Sequence, residues 1–537
     1  MAELNKQDSK PGIAGDGTVE MQEFKDSPEV LASDLDNVSV WQSIKSYPVI
    51  IFYCTCLSVG PLIYGFDNII VSVVTAMPAF QVSFGTPHGS MLIIPAMWLA
   101  LWNAFIQVGV MLGSALNGPL TDRLGRRVTF GAAGCISSLA VGIVYISDRS
   151  GDVDQRRGVF LAGKIILGLA LGMLNSTCQT YISEVAPQKL RGPLLSFFTL
   201  FMLLGQLIAV SLVLARISIM TPSSYIVCFA SQWGPSGFAV LVSLLMPESP
   251  VYLARRGKLD SARNALRRLY PSTEIDARLD KITRALAAEQ EEQNRTSSET
   301  SYRDCFRGTD FRRTRIVLYA NTMQQCLGVT MLSNASYFLQ LGGMSPTHSV
   351  MISQVGVGVG LPANIASWFA MSLLGRRMII QWSTAVTGLL WLGVGIAGCF
   401  PSSSSLWFIG VTIMVVGVVY GLGVGGTYPV VAAETSSLRL RAYTQGLGFV
   451  VNGFTSWLFN FILPYMFDVD QGNWGGRIGF FFAGLCLLTL VVVWFEIPEL
   501  KNRTYEELDE MFAKRLPTRA FRGYQSTGSR QAEKLED

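Results

Sequence analysis

Long apolar stretches separated by short polar segments dominate the chain between residues 49 and 497. A helix needs roughly 20 apolar residues to cross the hydrocarbon core of a bilayer, and each stretch approaches or exceeds that length. The stretches are 49–74, 94–117, 128–147, 159–183, 193–216, 225–246, 316–341, 350–371, 378–400, 406–433, 444–467 and 478–497. The pattern therefore predicts an all-α membrane protein with twelve transmembrane helices.

Three polar segments flank and divide these stretches. Residues 1–45 are rich in Gly, Asp, Glu and Ser and predict a disordered tail. Residues 247–315 predict a polar linker with short helices, and residues 498–537 predict a polar C-terminal tail. The remaining segments, 46–246 and 316–497, are then two bundles of six helices each.

Basic residues are distributed unevenly among the loops. Arg and Lys occur in 118–127, 184–192, 247–315, 372–377 and 435–441, whereas 75–93, 342–351 and 399–405 contain none. Residues 146–158 are an exception, because three arginines occur there beside three aspartates. Basic loops remain on the cytoplasmic side of a membrane, so we expect both termini and the linker in the cytoplasm.

Composition excludes several other classes of protein. Half of the 537 residues are hydrophobic, 15% are charged, and the net charge of +4 is too small to favour nucleic acid as a partner. The nine cysteines are scattered mostly singly through apolar stretches, and the two histidines have no metal-ligand spacing. No phosphate-binding loop and no nucleophile–base motif occurs, so we expect no cofactor, no metal and no enzymatic activity.

A short charged hinge, Gly118 to Arg127, is the first of several features that occur twice. Its Gly125-Arg126-Arg127 returns 250 residues later, and Glu and Arg spaced by seven residues and a Pro-Glu pair return at nearly the same offset. The repeated sets are Gly125-Arg126-Arg127 with Gly375-Arg376-Arg377, Glu184 and Arg191 with Glu434 and Arg441, and Pro247-Glu248 with Pro498-Glu499. One offset for all of them indicates two homologous halves.

These motifs resemble those of a known family. The hinge Gly118-x₃-Asp122-Arg123-x-Gly125-Arg126-Arg127 resembles the signature loop of the major facilitator superfamily. Tyr181-Ile-Ser-Glu184, Pro247-Glu-Ser-Pro250 and Gln324-Gln325-x₂-Gly328 resemble its sugar-porter branch, and Asp304-Cys-Phe-Arg-Gly308 resembles the fungal maltose and general α-glucoside permeases. The resemblance implies a secondary transporter with a substrate site between two halves.

The resemblance gives the repeated charges a role as gating salt bridges that hold one conformation and break when the halves rock. The residues concerned are Asp122, Arg123, Arg126, Arg127, Glu184, Arg191, Glu248, Arg376, Arg377, Glu434, Arg441 and Glu499. Ser372 stands where the family usually has a second Asp, so we expect a weaker lock in the second half. The alternative is that the arginines only anchor helix ends to anionic lipid headgroups.

Two ionisable residues, Asp67 and Lys164, lie well inside predicted spans. A charge in such a position is costly unless it is paired or faces water, and these two opposite charges could pair. Proton-coupled sugar porters have an Asp and an Arg at these positions, so the resemblance implies a proton-coupling site. The alternative is a static ion pair that fixes helix packing.

Amide side chains are the candidate substrate contacts, because each offers both a donor and an acceptor to hydroxyl groups. Gln324 and Gln325 match the sugar-binding glutamines of the family, and Asn452 matches an amide on span eleven. Gln206 lies two turns beyond Thr199, where hexose carriers have a glutamine, and Thr330 replaces an Asn. The alternative for each is interhelical hydrogen bonding. The site also departs from the family, because Pro429 replaces a stacking aromatic residue beside Tyr428, Asn334 replaces another aromatic, and Tyr64 stands where maltose permeases have an acid.

Three functions follow as hypotheses. The first is a sugar carrier of the plasma membrane, coupled to protons and similar to α-glucoside permeases. The second is a carrier of the same fold that moves a fungal secondary metabolite, and the third is a sensor that binds sugar without transporting it. The expected partners are the small-molecule substrate, protons and membrane lipid, with no nucleic acid and a monomeric state.

Overall fold

The computed structural model describes residues 40–89, 91–296, 302–400, 402–437, 440–501 and 505–524. Eleven helical segments of the described chain are long and apolar enough to cross a membrane. A twelfth segment, residues 310–341, lies where the remaining span is expected but is broken into three helices. The twelve-helix architecture expected from the apolar stretches is thus present.

The spans are numbered here in chain order. Spans 1 to 6 are Pro48–Thr75, Ala96–Leu124, Arg126–Ile146, Val153–Val185, Gln188–Arg216 and Ser223–Leu245. Span 7 comprises Asp310–Cys326, Val329–Ser333 and Ala335–Leu341. Spans 8 to 12 are Pro346–Leu374, Arg376–Ala397, Ser403–Thr435, Arg441–Phe467 and Ile478–Glu496.

Short helices, turns and strands lie at the two ends of the bundle. At one end, here called the hairpin end, lie the helix Pro78–Phe84, the antiparallel strands Thr86–His88 and Met91–Ile93, and the 3-10 turns Ser147–Arg149 and Gly475–Arg477. At the other, here called the linker end, lie Val40–Ser46, Pro250–Arg255, Leu259–Leu269, Ser272–Glu274, Ile275–Thr296, Asp304–Phe306, Tyr505–Ala513 and Thr518–Gly523.

The spans begin and end within a few residues of the predicted boundaries, with four informative differences. Span 2 continues seven residues past its predicted end, so residues 118–124 of the expected hinge are helical and the chain turns at Gly125. Span 4 starts six residues early, because the Asp152 side chain accepts a hydrogen bond from Val153 N–H and caps the helix within the charged loop. Span 7 likewise starts at Asp310, inside the expected linker. The tail predicted as disordered to residue 45 is helical from Val40, and residues 1–39 lie outside the described chain.

Span 7 breaks at Gly328, which adopts a left-handed conformation with φ 88°. A broken helix in a membrane is stable only if the freed backbone groups find partners within the protein. Trp391 of span 9 donates its indole N–H to the Leu327 carbonyl at 2.9 Å, and Asn334 donates to the Thr330 carbonyl at 2.9 Å. The break is therefore held by side chains on both sides of it.

Within the N-terminal half, glycines allow spans to approach closely. Spans 2 and 4 meet along Gly109, Gly113, Gly168 and Gly172, where added Cβ atoms would lie 2.1–2.4 Å from a facing backbone oxygen. The spacing of Gly168 and Gly172, four residues apart, predicts close helix packing, and this contact confirms it. Small residues at such interfaces increase van der Waals contact between helices, which drives association inside a bilayer.

The two halves touch mainly at the hairpin end. Among the hydrogen bonds between described residues, those joining the halves connect Gln81 with Gln340, Ile94 with Tyr337, Ala96 with Asp470, Asn103 with Asn334, Asn68 with Ser333 and Ser211 with Gln354. All of these residues lie in the hairpin-end portion of their elements. The structure is therefore a conformation that is closed at the hairpin end.

A substitution at Gly168 should test the close contact between spans 2 and 4. In Gly168→Ala the new methyl group would lie 2.3 Å from the Ile106 carbonyl oxygen, so the helices must separate at a cost of about 1–3 kcal/mol. Gly158→Ala is the matched control on the same helix, because nothing lies within 4 Å of its Cβ position. Thermal unfolding of purified protein should show a lower Tm for Gly168→Ala only. Equal Tm values would contradict the contact.

Candidate functional site

Gln325 lies beside the break of span 7 and is held by hydrogen bonds at both ends of its amide. Its Nε2 donates to the Ser456 hydroxyl of span 11 at 2.7 Å, and its Oε1 accepts from the Thr330 hydroxyl at 2.6 Å. Gln325 and Thr330 are both buried. These two candidate substrate residues therefore bond to protein partners and connect the broken helix to span 11.

Gln324 has weaker partners than its neighbour. Its Nε2 lies 3.5 Å from the Asn321 carbonyl, and its Oε1 accepts from the Tyr420 hydroxyl of span 10 at 3.3 Å. Hydrogen bonds of this length are near the limit of useful geometry. The Gln324 amide is thus the better placed of the two to exchange its present partners for those of a ligand.

Tyrosines and a second amide lie next to Gln324. The Tyr428 hydroxyl hydrogen-bonds to the side chains of Gln324 and Asn452, and Tyr64 on span 1 of the other half lies nearby. Asn452 also reaches the Asn321 carbonyl at 3.4 Å. The group combines hydrogen-bonding and aromatic side chains from both halves and carries no formal charge, which suits a neutral ligand.

Gln206 lies apart from this group in its recorded contacts. It is half-buried on span 5, and within the described part of the chain no hydrogen bond joins it to Gln324, Gln325 or Asn452. Its neighbour Gly205 packs against the Leu62 carbonyl of span 1, where an added Cβ would come within 2.0 Å. The structure therefore positions Gln206 by helix packing rather than by the amide group.

Asp67 and Lys164 form a buried ion pair inside the N-terminal half. The Lys164 Nζ lies 2.5 Å from Asp67 Oδ1, and both side chains are 1% exposed or less. Gln232 of span 6 donates to the same oxygen at 3.3 Å, while Asp67 Oδ2 is buried without a hydrogen-bond partner among the described residues. The gap that these residues line has no room for a water molecule. In this conformation the pair is therefore dry.

The next residue, Asn68, faces a different direction. Its Oδ1 accepts from the Ser333 hydroxyl of span 7 at 3.1 Å, and Ser333 lies on the short helix that follows the Gly328 break. One turn of span 1 therefore contacts the ion pair on one side and the broken helix of the other half on the other side. A shift of span 1 that alters one of these contacts therefore also alters the other.

At the linker end, equivalent ion pairs occur in both halves. Arg126 Nη2 lies 2.8 Å from Glu184 Oε1, and Arg376 Nη2 lies 2.9 Å from Glu434 Oε1. The Arg126 side chain is 5% exposed and that of Arg376 is 21% exposed. The second pair is therefore more open to solvent screening.

Glu248 and Glu499 have partners other than the expected guanidinium groups. The Glu248 carboxylate accepts from the backbone N–H of Arg126 at 2.8 Å, and Glu499 accepts from that of Arg376 at 3.0 Å. Gly125 and Gly375, with φ of 90° and 89°, turn the chain so that the first N–H groups of spans 3 and 9 point at these acids. The acids cap positive helix ends, and the described residues include no ion pair to them.

Arg127 and Arg377 also depart from the salt-bridge expectation. Arg127 donates to the Ser243 and Leu244 carbonyls at the end of span 6, and Arg377 donates to the Trp494 carbonyl at the end of span 12. Helix C-termini leave carbonyl groups unpaired and carry partial negative charge, so an arginine there is favourable. These arginines tie neighbouring helices of one half together.

The remaining expected gating residues are less engaged. Asp122 is 63% exposed, and its ion pair with Arg126 is long, at 3.7 Å. The Arg123 side chain is exposed, and its backbone carbonyl accepts hydrogen bonds from the Tyr252 hydroxyl and the Arg256 guanidinium group. Arg191 is exposed and lines a cavity of about 350 Å³ with Glu184. The side chains of Arg441 and Ser372 lie outside the described residues.

Sequence reasoning missed several contacts of this site. Gln232, Asn321, Tyr420 and Ser456 are polar residues in apolar stretches, which is the signal that could have drawn attention to them. Their partners depend on which helix faces touch, and that is a property of the folded bundle. Among the described residues, no group of three His, Cys, Asp or Glu side chains could hold a metal ion.

The fold and site together define a class of protein. The chain has two six-helix halves, a polar group between them at a broken helix, and inter-half hydrogen bonds that, among the described residues, all lie at one end. These are features of a transporter of the major facilitator fold. The chain belongs to the family described as "Sugar (and other) transporter", which matches residues 53–512. It is an integral, multi-pass membrane protein, and the relatives it matches are transporters and permeases.

Curated relatives and solved structures agree on this family. A protein named MFS transporter fmqE from Aspergillus fumigatus is 32% identical, with 92% of each chain covered. A maltose permease from Saccharomyces cerevisiae is 27% identical, covering 95% of this chain and 84% of the permease. The xylose transporter XylE from E. coli, in a partially occluded inward open conformation, has a similar fold with a TM-score of 0.68 at 18% identity, covering 84% and 99% of the two chains.

The two glutamines should respond differently to substitution. Gln324→Ala should weaken substrate affinity about 2- to 13-fold, the equivalent of one hydrogen bond worth roughly 0.5–1.5 kcal/mol, while leaving Tm nearly unchanged. Gln325→Ala should instead lower Tm, because it leaves Ser456 and Thr330 without their partner. Binding titrations and thermal unfolding on both variants would separate the roles. The opposite assignment would contradict this geometry.

Proposed function

We propose that this protein is a secondary active transporter that moves a neutral, hydroxyl-rich small molecule, a sugar or an α-glucoside, together with protons. Asp67 is the proton-coupling residue, and the amide and tyrosine group around Gln324 contacts the substrate. The linker end and both termini face the cytoplasm, and the protein acts in the plasma membrane as a monomer. Each of these statements goes beyond family membership.

The observation that supports this proposal best is the single turn of span 1 that carries Asp67 and Asn68. Asp67 contacts Lys164 within its own half, whereas Asn68 contacts Ser333 next to the substrate group of the other half. A proton that neutralises Asp67 removes the attraction of Lys164, which leaves span 1 free to shift. The contact of Asn68 with the broken helix then changes at the same time.

The ion pair also indicates how the cycle is ordered. In the conformation closed at the hairpin end, Lys164 lies 2.5 Å from Asp67 and the pair has no room for a water molecule. Proton loading therefore belongs to the conformation that is open at the hairpin end, where the pair separates and water reaches the carboxylate. Re-forming the pair with Lys164 as that end closes displaces the proton from Asp67.

The linker-end charges act as the gate on that side in this proposal. Because Arg126 with Glu184 and Arg376 with Glu434 are paired within their halves, the linker end is free to stay open. When the halves rock, Asp122 and Arg191, both exposed here, become available to bridge them. If the charges only anchor lipid headgroups, substitution of Asp122 would leave the resting conformation unchanged.

A second candidate function rests on the rebuilt substrate group. Tyr64, rather than an acid, approaches Tyr428, and Pro429 stands where the family stacks an aromatic ring. The chain is also more similar to a fungal MFS transporter, at 32% identity, than to a maltose permease, at 27%. A carrier for a fungal metabolite is therefore the alternative, and uptake of a labelled sugar panel in a transporter-null host distinguishes the two.

Replacing Asp67 should separate driven from passive movement of substrate. Asp67→Asn mimics the protonated side chain, so accumulation against a gradient should disappear while exchange of substrate across the membrane persists. A merely structural pair predicts misfolding instead, because the lone Lys164 charge would cost roughly 3–5 kcal/mol.

The double variant Asp67→Asn with Lys164→Met is the control for this experiment. It removes the lone charge, so it should express well under both interpretations. Coupling predicts that it still cannot concentrate substrate, whereas a structural role predicts restored accumulation. A well-expressed Asp67→Asn protein with wild-type accumulation and pH dependence would contradict the coupling role. A sensor without transport would show neither uptake nor exchange in the wild-type protein.

A further inference from the structure

The loop after span 11 closes the hairpin end of the bundle. Asp470 on this loop accepts a hydrogen bond through Oδ2 from the backbone N–H of Ala96 at 3.1 Å. Ala96 is the first residue of span 2 and belongs to the opposite half. Beside this contact, Ile94 N–H donates to the Tyr337 hydroxyl at 3.0 Å. The loop therefore forms part of the contact that must break when the hairpin end opens.

A second carboxylate, Asp468, is buried directly behind this contact. It is the first residue after span 11 and is 0% exposed. Its Oδ1 accepts from Val469 N–H at 2.9 Å, but its Oδ2 is buried without a hydrogen-bond partner among the described residues. An ionised carboxylate in such a place is costly, because it has lost its water and gained no counterion. A protonated carboxyl group avoids that cost.

The surroundings of Asp468 contain no compensating positive side chain. Asp470 from the same loop and Tyr337 from span 7 interact with it electrostatically. Within the described chain, neither carboxylate has a Lys, Arg or His within ion-pair distance, and Arg477 on the next turn is exposed. Burial and then the Asp470 charge raise the pKa of Asp468 from its ordinary 3.8 to about 8.

The two acids are not equivalent, and this decides where the proton resides. Asp470 bonds to an N–H at the start of a 29-residue helix, where the helix dipole and the free N–H groups favour negative charge. Each acid has one oxygen on a backbone N–H and one buried oxygen without a hydrogen-bond partner among the described residues, but only Asp470 bonds to the start of a long helix. When two carboxylates interact and one has less support as an anion, that one holds the shared proton. The proton therefore belongs to Asp468.

We propose that Asp468 is a proton-binding site of the hairpin-end gate, protonated while that end is closed and deprotonated when it opens. The proton enters and leaves on the same side of the membrane, so this site regulates opening and does not energise transport. It is separate from Asp67, which lies within the N-terminal half. The proposal depends only on opening and closing of the hairpin end, whichever substrate is carried.

The sign of the pH dependence follows from this arrangement. Closing the hairpin end raises the pKa of Asp468, so closing takes up a proton between its ordinary pKa and about 8. Acid therefore stabilises the closed form, and that stabilisation is lost as the pH rises through about 8. Within this window, the closed-to-open ratio should change up to roughly tenfold for each pH unit.

The distance across the hairpin end tests the proposal. Spin labels on cysteines at the exposed positions Met91 and Met351, one in each half, would report it in full-length protein in nanodiscs. The exposed native cysteines Cys135 and Cys399 are first replaced by serine. Wild-type protein should populate the long distance increasingly as the pH is raised. Asp468→Asn, which cannot ionise, should remain closed at every pH.

A second variant keeps the test decisive if Asp468→Asn does not fold. Asp470→Asn removes the neighbouring negative charge, so the pH at which the hairpin end opens should shift, because Asp468 then ionises more easily and at lower pH. Asp154→Asn is the control, because Asp154 is a 74% exposed acid at the same end of the bundle, and it should keep the wild-type response. This control separates ionisation of the buried Asp468 from ionisation of an exposed acid.

Three results would overturn the proposal. The first is an unchanged pH response in Asp468→Asn or an unshifted midpoint in Asp470→Asn. The second is loss of the response in Asp154→Asn, which would assign it to an exposed acid of that end. The third is a hairpin-end distance that responds to added Na⁺ or Ca²⁺ at constant pH and not to protons, which would make the two acids a cation site.

Discussion

Polar groups inside a membrane protein must find partners within the protein. Here the contacts within a half differ in strength from the contacts between the halves. Within each half the contacts are ionic, as in Arg126 with Glu184, Arg376 with Glu434 and Asp67 with Lys164. Between the halves, the described residues form hydrogen bonds from neutral amide, hydroxyl and backbone donors, and Asp470 is the one acidic acceptor among them. Losing a partner of a buried ion costs several kcal/mol, whereas an exchanged neutral hydrogen bond costs about one. The halves are therefore more cohesive than the interface between them.

Because the interface between the halves is the weaker contact, the halves can move relative to each other there, and the candidate substrate residues lie at the same interface. Span 7 contributes to the interface through Asn334 and Ser333, and it is also the helix that breaks at Gly328 beside Gln324. A ligand that bonds to the Gln324 group therefore touches the same helix that holds the hairpin end closed. In the proposed function, substrate binding and conformational change are linked through this interrupted helix, without a separate signalling element.

Much of the fold was predictable because it follows from local composition. Apolar length gave the spans, and the offset of 250 residues gave a pseudosymmetry that the structure repeats in Gly125 and Gly375, with φ of 90° and 89°. The pairing of Asp67 with Lys164 could be anticipated, since two opposite charges at one membrane depth have few other partners.

Other features were beyond the sequence because they depend on tertiary contacts. Glu248 looks like an ion-pair partner, yet in the fold its carboxylate accepts a hydrogen bond from a backbone N–H group at the start of a helix. The break of span 7 is stabilised by Trp391, a residue more than sixty positions away. Asp468 looks like an ordinary loop acid, and only the packed loop shows that its carboxylate is buried.

The central claim is that two rigid halves rock about the group around Gln324. Spin labels at the exposed, pseudosymmetric positions Leu124 and Leu374 would measure the distance across the linker end during transport in proteoliposomes. The account predicts that this distance shortens in the molecules whose hairpin-end distance lengthens, while label distances within each half stay constant. A linker-end distance that stays fixed during substrate turnover would contradict it. Label distances within one half that change as much as the distances between the halves would also contradict it.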